Sequence, residues 1–421
     1  MIEEIDTIIE VTLPLKTFLA RQPILDRNEK TIGYEILYRS GEENRFFEKD
    51  GTEATLEILR NLFCDLGIQQ VVGQRVAFIN VTRELLLSDL SFINHQKIVL
   101  EILEDISVDQ TLVAVVSELK EQGFCIALDD YGETPEYEPL LPLVDMIKID
   151  WRAGYSLEEM KRLVKRLKGF GLALLAEKIE TRHEYDMALE LGFEYFQGFF
   201  FAQPRVLTGK SLPTSRMAYL QLLSRLEEPD VEFSEIARII SRDAGLTLKL
   251  LKLVNSADVG PSRKIDSIEQ AIVLLGERTL RRWISIMVFH GATDKVVPEA
   301  FTQAAVRGFF MEEMLNSAGL QEMAGAGFLT GLLSMAPLLT GISIKALLSQ
   351  IPLHPAISTT LLEKKGVLLP YLMVCQAYER GRADVAAKLG QQTGLHLSEI
   401  SSCYLAALKD AGMLNEFWDE K

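Results

Sequence analysis

Histidine and cysteine are both scarce in this 421-residue chain, with five of the first and four of the second. The cysteines (Cys64, Cys125, Cys375 and Cys403) are scattered and form no Cys-x-x-Cys pair. That argues against a zinc knuckle or a disulfide framework and fits a reducing compartment. Basic residues are in deficit as well: 44 Lys and Arg stand against 60 Asp and Glu, for a formal charge of -16. A nucleic-acid partner is therefore not expected, because neutralising a phosphate backbone takes a basic face. The same acidity is compatible with a phosphate ligand held through divalent cations. The stretch MIEEIDTIIEVTLPL is acidic where a secretory signal is basic, so a cytoplasmic location is expected. Long apolar runs are nearly missing. Met323–Ile344 carries no charge and is long enough to cross a bilayer, yet it holds four glycines and Pro337. Two buried helices broken near Pro337 are the expected reading, with no membrane partner.

What is present is a folded composition, 48% hydrophobic and 25% charged, in a chain long enough for two domains. From about residue 16 to 205, short β-like runs alternate with helical stretches. Thr31–Arg39, Arg75–Val81, Lys97–Leu103, Cys125–Asp130, Met146–Asp150, Leu174–Ile179 and Tyr195–Phe201 read as strands. Leu112–Glu121 and Leu157–Leu167 read as helices, and Gly123, Gly171 and Gly192 fit left-handed helix ends. The repeat predicts a parallel sheet closed into an α/β barrel of the TIM type. After a linker at Val206–Ser215 the pattern turns all-helical. There Asp266 and Glu269 open a helix whose apolar stripe is Ile268, Ala271, Ile272 and Leu275, with Leu280, Ile284 and Met287 in the next. The expected division is 1–205 for the barrel and 206–421 for the helical domain.

Polar residues interrupt the apolar strands in a consistent way. Glu35, Asn80, Glu101, Asp129, Asp130, Lys148, Glu177 and Gln197 each stand in or at the end of such a run. In a β/α barrel those ends converge on one mouth. Several buried acids with one lysine need further positive charge, so one or two divalent cations are implied. An all-oxygen donor set without His or Cys favours Mg²⁺ or Mn²⁺ over zinc.

These residues carry a family resemblance. From about Phe18 to Pro204 the chain resembles an EAL domain, the fold of cyclic di-GMP phosphodiesterases. The matching pieces are Gln22-Pro23-Ile24, Glu35-Ile36-Leu37 with Arg39, Asn80, Glu101 with Glu104, Asp129-Asp130, Lys148-Ile149-Asp150, Ala176–Glu180, and Gln197-Gly198. The resemblance implies metal-assisted hydrolysis of one phosphodiester of cyclic di-GMP to the linear dinucleotide, with two cations, Mg²⁺ or Mn²⁺. Glu35, Asn80, Glu101 and Asp129 would hold one cation, and Asp129 and Asp130 the second with help from Glu177. Lys148, its pKa pulled down by crowding, would orient or deprotonate the attacking water. Gln22, Arg39 and Gln197 would contact substrate. The family's loop after the paired aspartates, Phe-Gly-Thr-Gly in its usual form, is here Tyr131-Gly132-Glu133-Thr134-Pro135-Glu136. It should be stiffer and more negative, and it is the loop through which the resemblance implies a homodimer. Lys178 replaces a second family glycine.

From about Leu212 to Leu395 the chain resembles an HDOD domain, a helical relative of HD phosphohydrolases. The match is strongest over Ile239–Gly276. Where catalytic relatives carry His-Asp, this chain has Ser334-Met335, and Arg307 falls at the upstream histidine position. A non-catalytic domain that regulates the barrel or binds a protein partner is expected. The alternative reading for the whole chain is a cyclic di-GMP receptor or scaffold that binds without cutting and signals through the helical domain.

Overall fold

Eight strands close into a barrel in chain order: Thr17–Asp26 (β1), Thr31–Ser40 (β2), Val76–Val81 (β3), Ile98–Ile102 (β4), Cys125–Leu128 (β5), Met146–Asp150 (β6), Ala173–Glu177 (β7) and Tyr195–Gln197 (β8). They belong to a computed structural model that describes residues 17–40, 67–88, 90, 95–202, 250, 254–255, 265, 268–291, 298–340, 343–349 and 353–412. The barrel is the expected α/β architecture, but the sheet is not wholly parallel. β1 runs antiparallel to both β2 and β8, and the remaining neighbours pair in parallel. The cause lies in the connection: only Arg27–Lys30 separates β1 from β2, and a parallel pair needs a crossover of a dozen or more residues.

Inside the barrel, Ile24, Phe78, Val99, Ala127, Met146 and Leu175 form an apolar plug. Outside it lie helices Gly67–Val72 (α1), Arg83–Leu86 (α2), Gln110–Glu121 (α3), Leu157–Lys168 (α4) and Arg182–Leu191 (α5). α4 shows why such segments form. Ser156 and Glu159 make a reciprocal capping box, and Met160, Leu163, Val164 and Leu167 give one buried face. Gly123, Gly171 and Gly192 all take positive φ, as their place after helices predicts.

The helical half comprises Ile268–Leu275 (α6), Glu277–Gly291 (α7), Pro298–Ser317 (α8), Gln321–Ser334 (α9), Ala336–Thr340 (α10), Ile344–Leu348 (α11), Pro355–Glu363 (α12), Leu369–Glu379 (α13), Ala383–Thr393 (α14) and Leu397–Gly412 (α15). The uncharged stretch is divided between α9 and α10 with the break at Met335, two residues before Pro337. No described helix is long and apolar enough to cross a membrane. Ala271, Leu280, Ile284 and Met287 are buried as their spacing predicts, whereas Asp266, the Val206–Ser215 linker and Cys64 lie outside the described residues.

The β1–β2 connection, Arg27–Lys30, holds no helix that could cover the outer face of β1. Helices of the second half cover it instead: α13 and α15 pack on β1. Leu19, Tyr34 and Ile36 join one apolar cluster that continues into α8, α13 and α15. The buried Glu299 carboxylate of α8 accepts hydrogen bonds from Thr31 Oγ1 and Tyr34 Oη, both at 2.9 Å. The Leu19 amide donates to Tyr378 Oη at 3.3 Å.

Candidate active site

Strand alternation builds the site directly above the plug. Two residues past Phe78, Val99, Ala127, Met146, Leu175 and Tyr195 stand Asn80, Glu101, Asp129, Lys148, Glu177 and Gln197. A period of two keeps each pair on the same, inward face. Asp129 sits one residue beyond the end of β5, so that strand stops earlier than the sequence pattern indicates. β8 likewise ends at Gln197, because Gly198 turns the chain at φ 142° and packs its Cα against Ile179. A Cβ there would lie 2.1 Å from the Ile179 carbonyl oxygen, so only glycine fits behind Gln197.

Lys148 is the hub, at 0% exposure. Its Nζ lies 2.6 Å from Asp129, 2.8 Å from Glu101, 3.0 Å from Glu177 and 3.5 Å from Glu35. Burial would pull the ammonium's pKa down, but Glu101, Glu177, Glu35 and Asp129 together raise it well above the ordinary value. This corrects the expected depression of the Lys148 pKa: crowding by carboxylates favours the charged form. The acids respond in the opposite sense to their usual state. Burial first, then Glu35 and Asp129, push Glu101 up, and burial with Asp129 and Glu35 does the same to Glu177. One ammonium does not satisfy four carboxyls.

The amides fix Glu35. Asn80 Nδ2 donates to one carboxylate oxygen at 3.1 Å and Gln197 Nε2 to the other at 2.6 Å. Gln197 Nε2 also donates to Gln22 Oε1 at 3.1 Å, which brings β1 into the site. Yet Asn80 Oδ1, Glu101 Oε2 and Gln197 Oε1 are buried without a hydrogen-bond partner, while Glu101 Oε1 and Asp129 Oδ1 face Lys148 Nζ. Buried oxygen acceptors left open at one mouth have the chemistry of a hard divalent cation's ligands. Among the described residues no three acidic, His or Cys side chains converge at metal-ligand spacing, because the carboxyls are gathered on Lys148 Nζ. The donor set fits such a cation in type and charge.

Asp130 points elsewhere. It lies at φ 40°, and its carboxylate is 3.4 Å from Lys178 Nζ, which also donates to Asp150 at 2.7 Å. Lys178 itself is held at φ 55°, the conformation that the family's glycine adopts freely. Its ammonium thus bridges two carboxylates at the rim, a contact the sequence signalled only through the misplaced residue type. Arg39 is on β2, with its side chain outside the described set. The altered loop is tied down: Tyr131 is buried, Tyr137 Oη donates to the Glu104 carbonyl at 2.5 Å, and Arg166 pairs with Glu133 at 2.9 Å and with Glu138. Glu136 accepts from the Val108 amide at 3.3 Å. Its acids are engaged locally rather than added to the mouth.

In the helical half, Arg307 Nε donates to Glu379 Oε1 at 2.7 Å, Nη2 to Glu379 Oε2 at 2.5 Å, and Nη1 to Ser334 Oγ at 2.7 Å. Arg307 and Ser334, which stand where the resemblance places metal ligands, are thus tied to each other and, through Arg307, to Glu379 in a buried bidentate pair. Glu379 was invisible to sequence reasoning, being 72 residues from Arg307.

Residues 52–204 match the EAL domain and residues 212–364 the HDOD domain. Over 409 residues the chain is 34% identical to YuxH of Bacillus subtilis, an uncharacterized protein, covering 94% of this chain and 98% of that one. The chain belongs to the EAL–HDOD family. Within that family it is also 32% identical over 368 residues to the cyclic di-GMP phosphodiesterase CdgJ of Vibrio cholerae, covering 86% of this chain and 85% of CdgJ. Among solved structures, the EAL domain of Mycobacterium smegmatis DcpA is similar at 24% identity and a TM-score of 0.36, over 44% of this chain and 90% of that one. The EAL barrel includes β1 and β2, which precede the matched residues.

Proposed function

We propose that the EAL barrel hydrolyses one phosphodiester of cyclic di-GMP to the linear dinucleotide, and that the HDOD domain is a non-catalytic regulatory or interaction module. The domains divide near residue 205. One observation carries the reading: an excess of buried carboxyls with open acceptor atoms surrounds Lys148 at the barrel mouth. Glu35, Asn80, Glu101 and Asp129 would hold one divalent cation, and Asp129 with Asp130 and Glu177 a second, as Mg²⁺ or Mn²⁺. Bound there, such cations clamp a phosphate and lower the pKa of water. Lys148 would orient or deprotonate the attacking water through Nζ, which lies among Asp129, Glu101, Glu177 and Glu35. Asn80 and Gln197 lock the Glu35 carboxylate, and Gln22, Gln197 and Arg39 contact the nucleotide. The apolar plug beneath closes the barrel below the ring of acids. Self-association through the Tyr131–Glu136 loop belongs to the same reading.

Full-length protein with Mg²⁺ or Mn²⁺ should convert cyclic di-GMP to the linear form, and Glu35→Ala should abolish this. Absence of product with either metal at micromolar enzyme would refute hydrolysis. A second reading, binding without cleavage, is favoured by one feature, the Lys178 bridge between Asp130 and Asp150. Calorimetric binding of cyclic di-GMP without product formation would select it.

A further inference from the structure

The corner between α13 and α14 reaches the barrel mouth from the HDOD side. Gly381 N donates to the Tyr378 carbonyl and Arg382 N to that of Ala377, both at 2.9 Å, which fixes the turn. Tyr378 anchors it by accepting from Leu19 N and donating to Ser401 Oγ at 2.7 Å. Gly381, at φ 66°, lies so close to β1 and β2 that an added Cβ would be 2.6 Å from Leu37 Cδ1 and 3.8 Å from Gln22 Nε2. Gln22 is the residue whose side chain accepts from Gln197 in the candidate site. The corner is therefore seated at the edge of that site.

Between Gly381 and the locked Arg307–Glu379 pair stands Arg380. Its side chain is exposed, and its guanidinium carbon is 5.8 Å from the ring centroid of Phe199, two residues after Gln197. A cavity of about 470 Å³ opens here, lined by Glu180, Phe199, Gln303, Arg307, Glu379 and Arg380 among others. Gln303 Oε1 in its wall is buried and makes no hydrogen bond. Around the mouth, Lys148 is enclosed by acids, Lys178 spans Asp130 and Asp150, and Arg152 pairs with Glu180 and Glu184. Arg380 makes no ion pair with any described residue. Among the described residues, Arg380 is thus a guanidinium within cation–π distance of Phe199 and without an acidic partner, beside an acidic opening. Guanidinium is the side chain best suited to a phosphate.

We infer that Arg380 of the HDOD domain is a ligand-binding residue of the EAL site, taking a phosphate of the anionic nucleotide at the Phe199 rim. The helical domain thereby completes the substrate site of the barrel in the same chain. This rests on the proposed cyclic di-GMP reading. Full-length wild type, Arg380→Ala, Arg380→Glu and Arg380→Lys would be compared by Mn²⁺-supported kinetics, by calorimetric titration with cyclic di-GMP and by thermal melting. Expected is a rise of about tenfold in KM and in Kd for Arg380→Ala, on the scale of one charged hydrogen bond, with kcat within twofold. Arg380→Glu should exceed it, Arg380→Lys should recover part of the loss, and all melting temperatures should match wild type. KM and Kd within twofold of wild type for the alanine and glutamate variants, in active protein, would overturn the inference and leave the function standing. A wild type that neither binds nor hydrolyses cyclic di-GMP would overturn both. A lowered melting temperature in all three variants would also overturn it, assigning Arg380 to packing.

Discussion

The two halves of this molecule handle buried charge in opposite ways. In the EAL barrel, Glu35, Glu101, Asp129 and Glu177 share the ammonium of Lys148, and several acceptor atoms stay open. In the helical half, Arg307 meets Glu379 through two parallel contacts and Ser334 through a third. The second arrangement is closed: charge balances charge, and little remains for a ligand. The first is open, and a fold retains such an imbalance at a cost that a ligand can offset. Unsatisfied charge marks chemistry, and satisfied charge marks architecture.

That contrast breaks most visibly if the closed pair is cut. Arg307→Ala strands the Glu379 carboxylate in the interior and should destabilise the protein by about 3–5 kcal/mol, seen by urea unfolding. Arg307→Met with Glu379→Leu should recover most of it; failure to do so would mean the pair is more than structural. The open site should behave in reverse. Adding Mn²⁺ at a hundredfold excess over Kd should stabilise the protein by about 2.7 kcal/mol. Glu101→Gln, which lowers the acidic excess, should raise the metal-free melting temperature while shrinking the metal-induced rise. Equal metal-induced shifts in wild type and variant would erase the distinction between the two regions. The smallest effect belongs to the rim. Lys178→Gly frees a non-glycine residue from positive φ, for a gain of about 1 kcal/mol or less once its exposed ion pairs are lost. It should also increase the amount of Mn²⁺ bound per chain, measured by electron paramagnetic resonance, by releasing Asp130.

Much of the barrel was legible because alternation is local. Phe78 with Asn80, Val99 with Glu101 and Leu175 with Glu177 announce the inward face and its polar tier without any tertiary knowledge. The direction of β1 was also written in the chain, since Arg27–Lys30 is too short for a crossover, but Thr17–Asp26 was not among the runs whose composition reads as strand. Other features depend on distance in sequence. Glu299 meets Thr31 268 residues away, and Arg307 meets Glu379 72 residues away. No periodicity records such partners. The Lys148 pKa direction failed for a related reason: burial is readable from a strand pattern, while the number of acids converging on one atom is set by barrel closure.

The β1–β2 hairpin has a consequence for synthesis. The barrel's last described residue is Ala202, yet the helices that cover Leu19, Tyr34 and Ile36 extend to residue 412. At typical translation speeds that leaves an apolar flank waiting about 10–40 s on the ribosome for its cover. The flank of the first half is thus completed only after the last helix has been made.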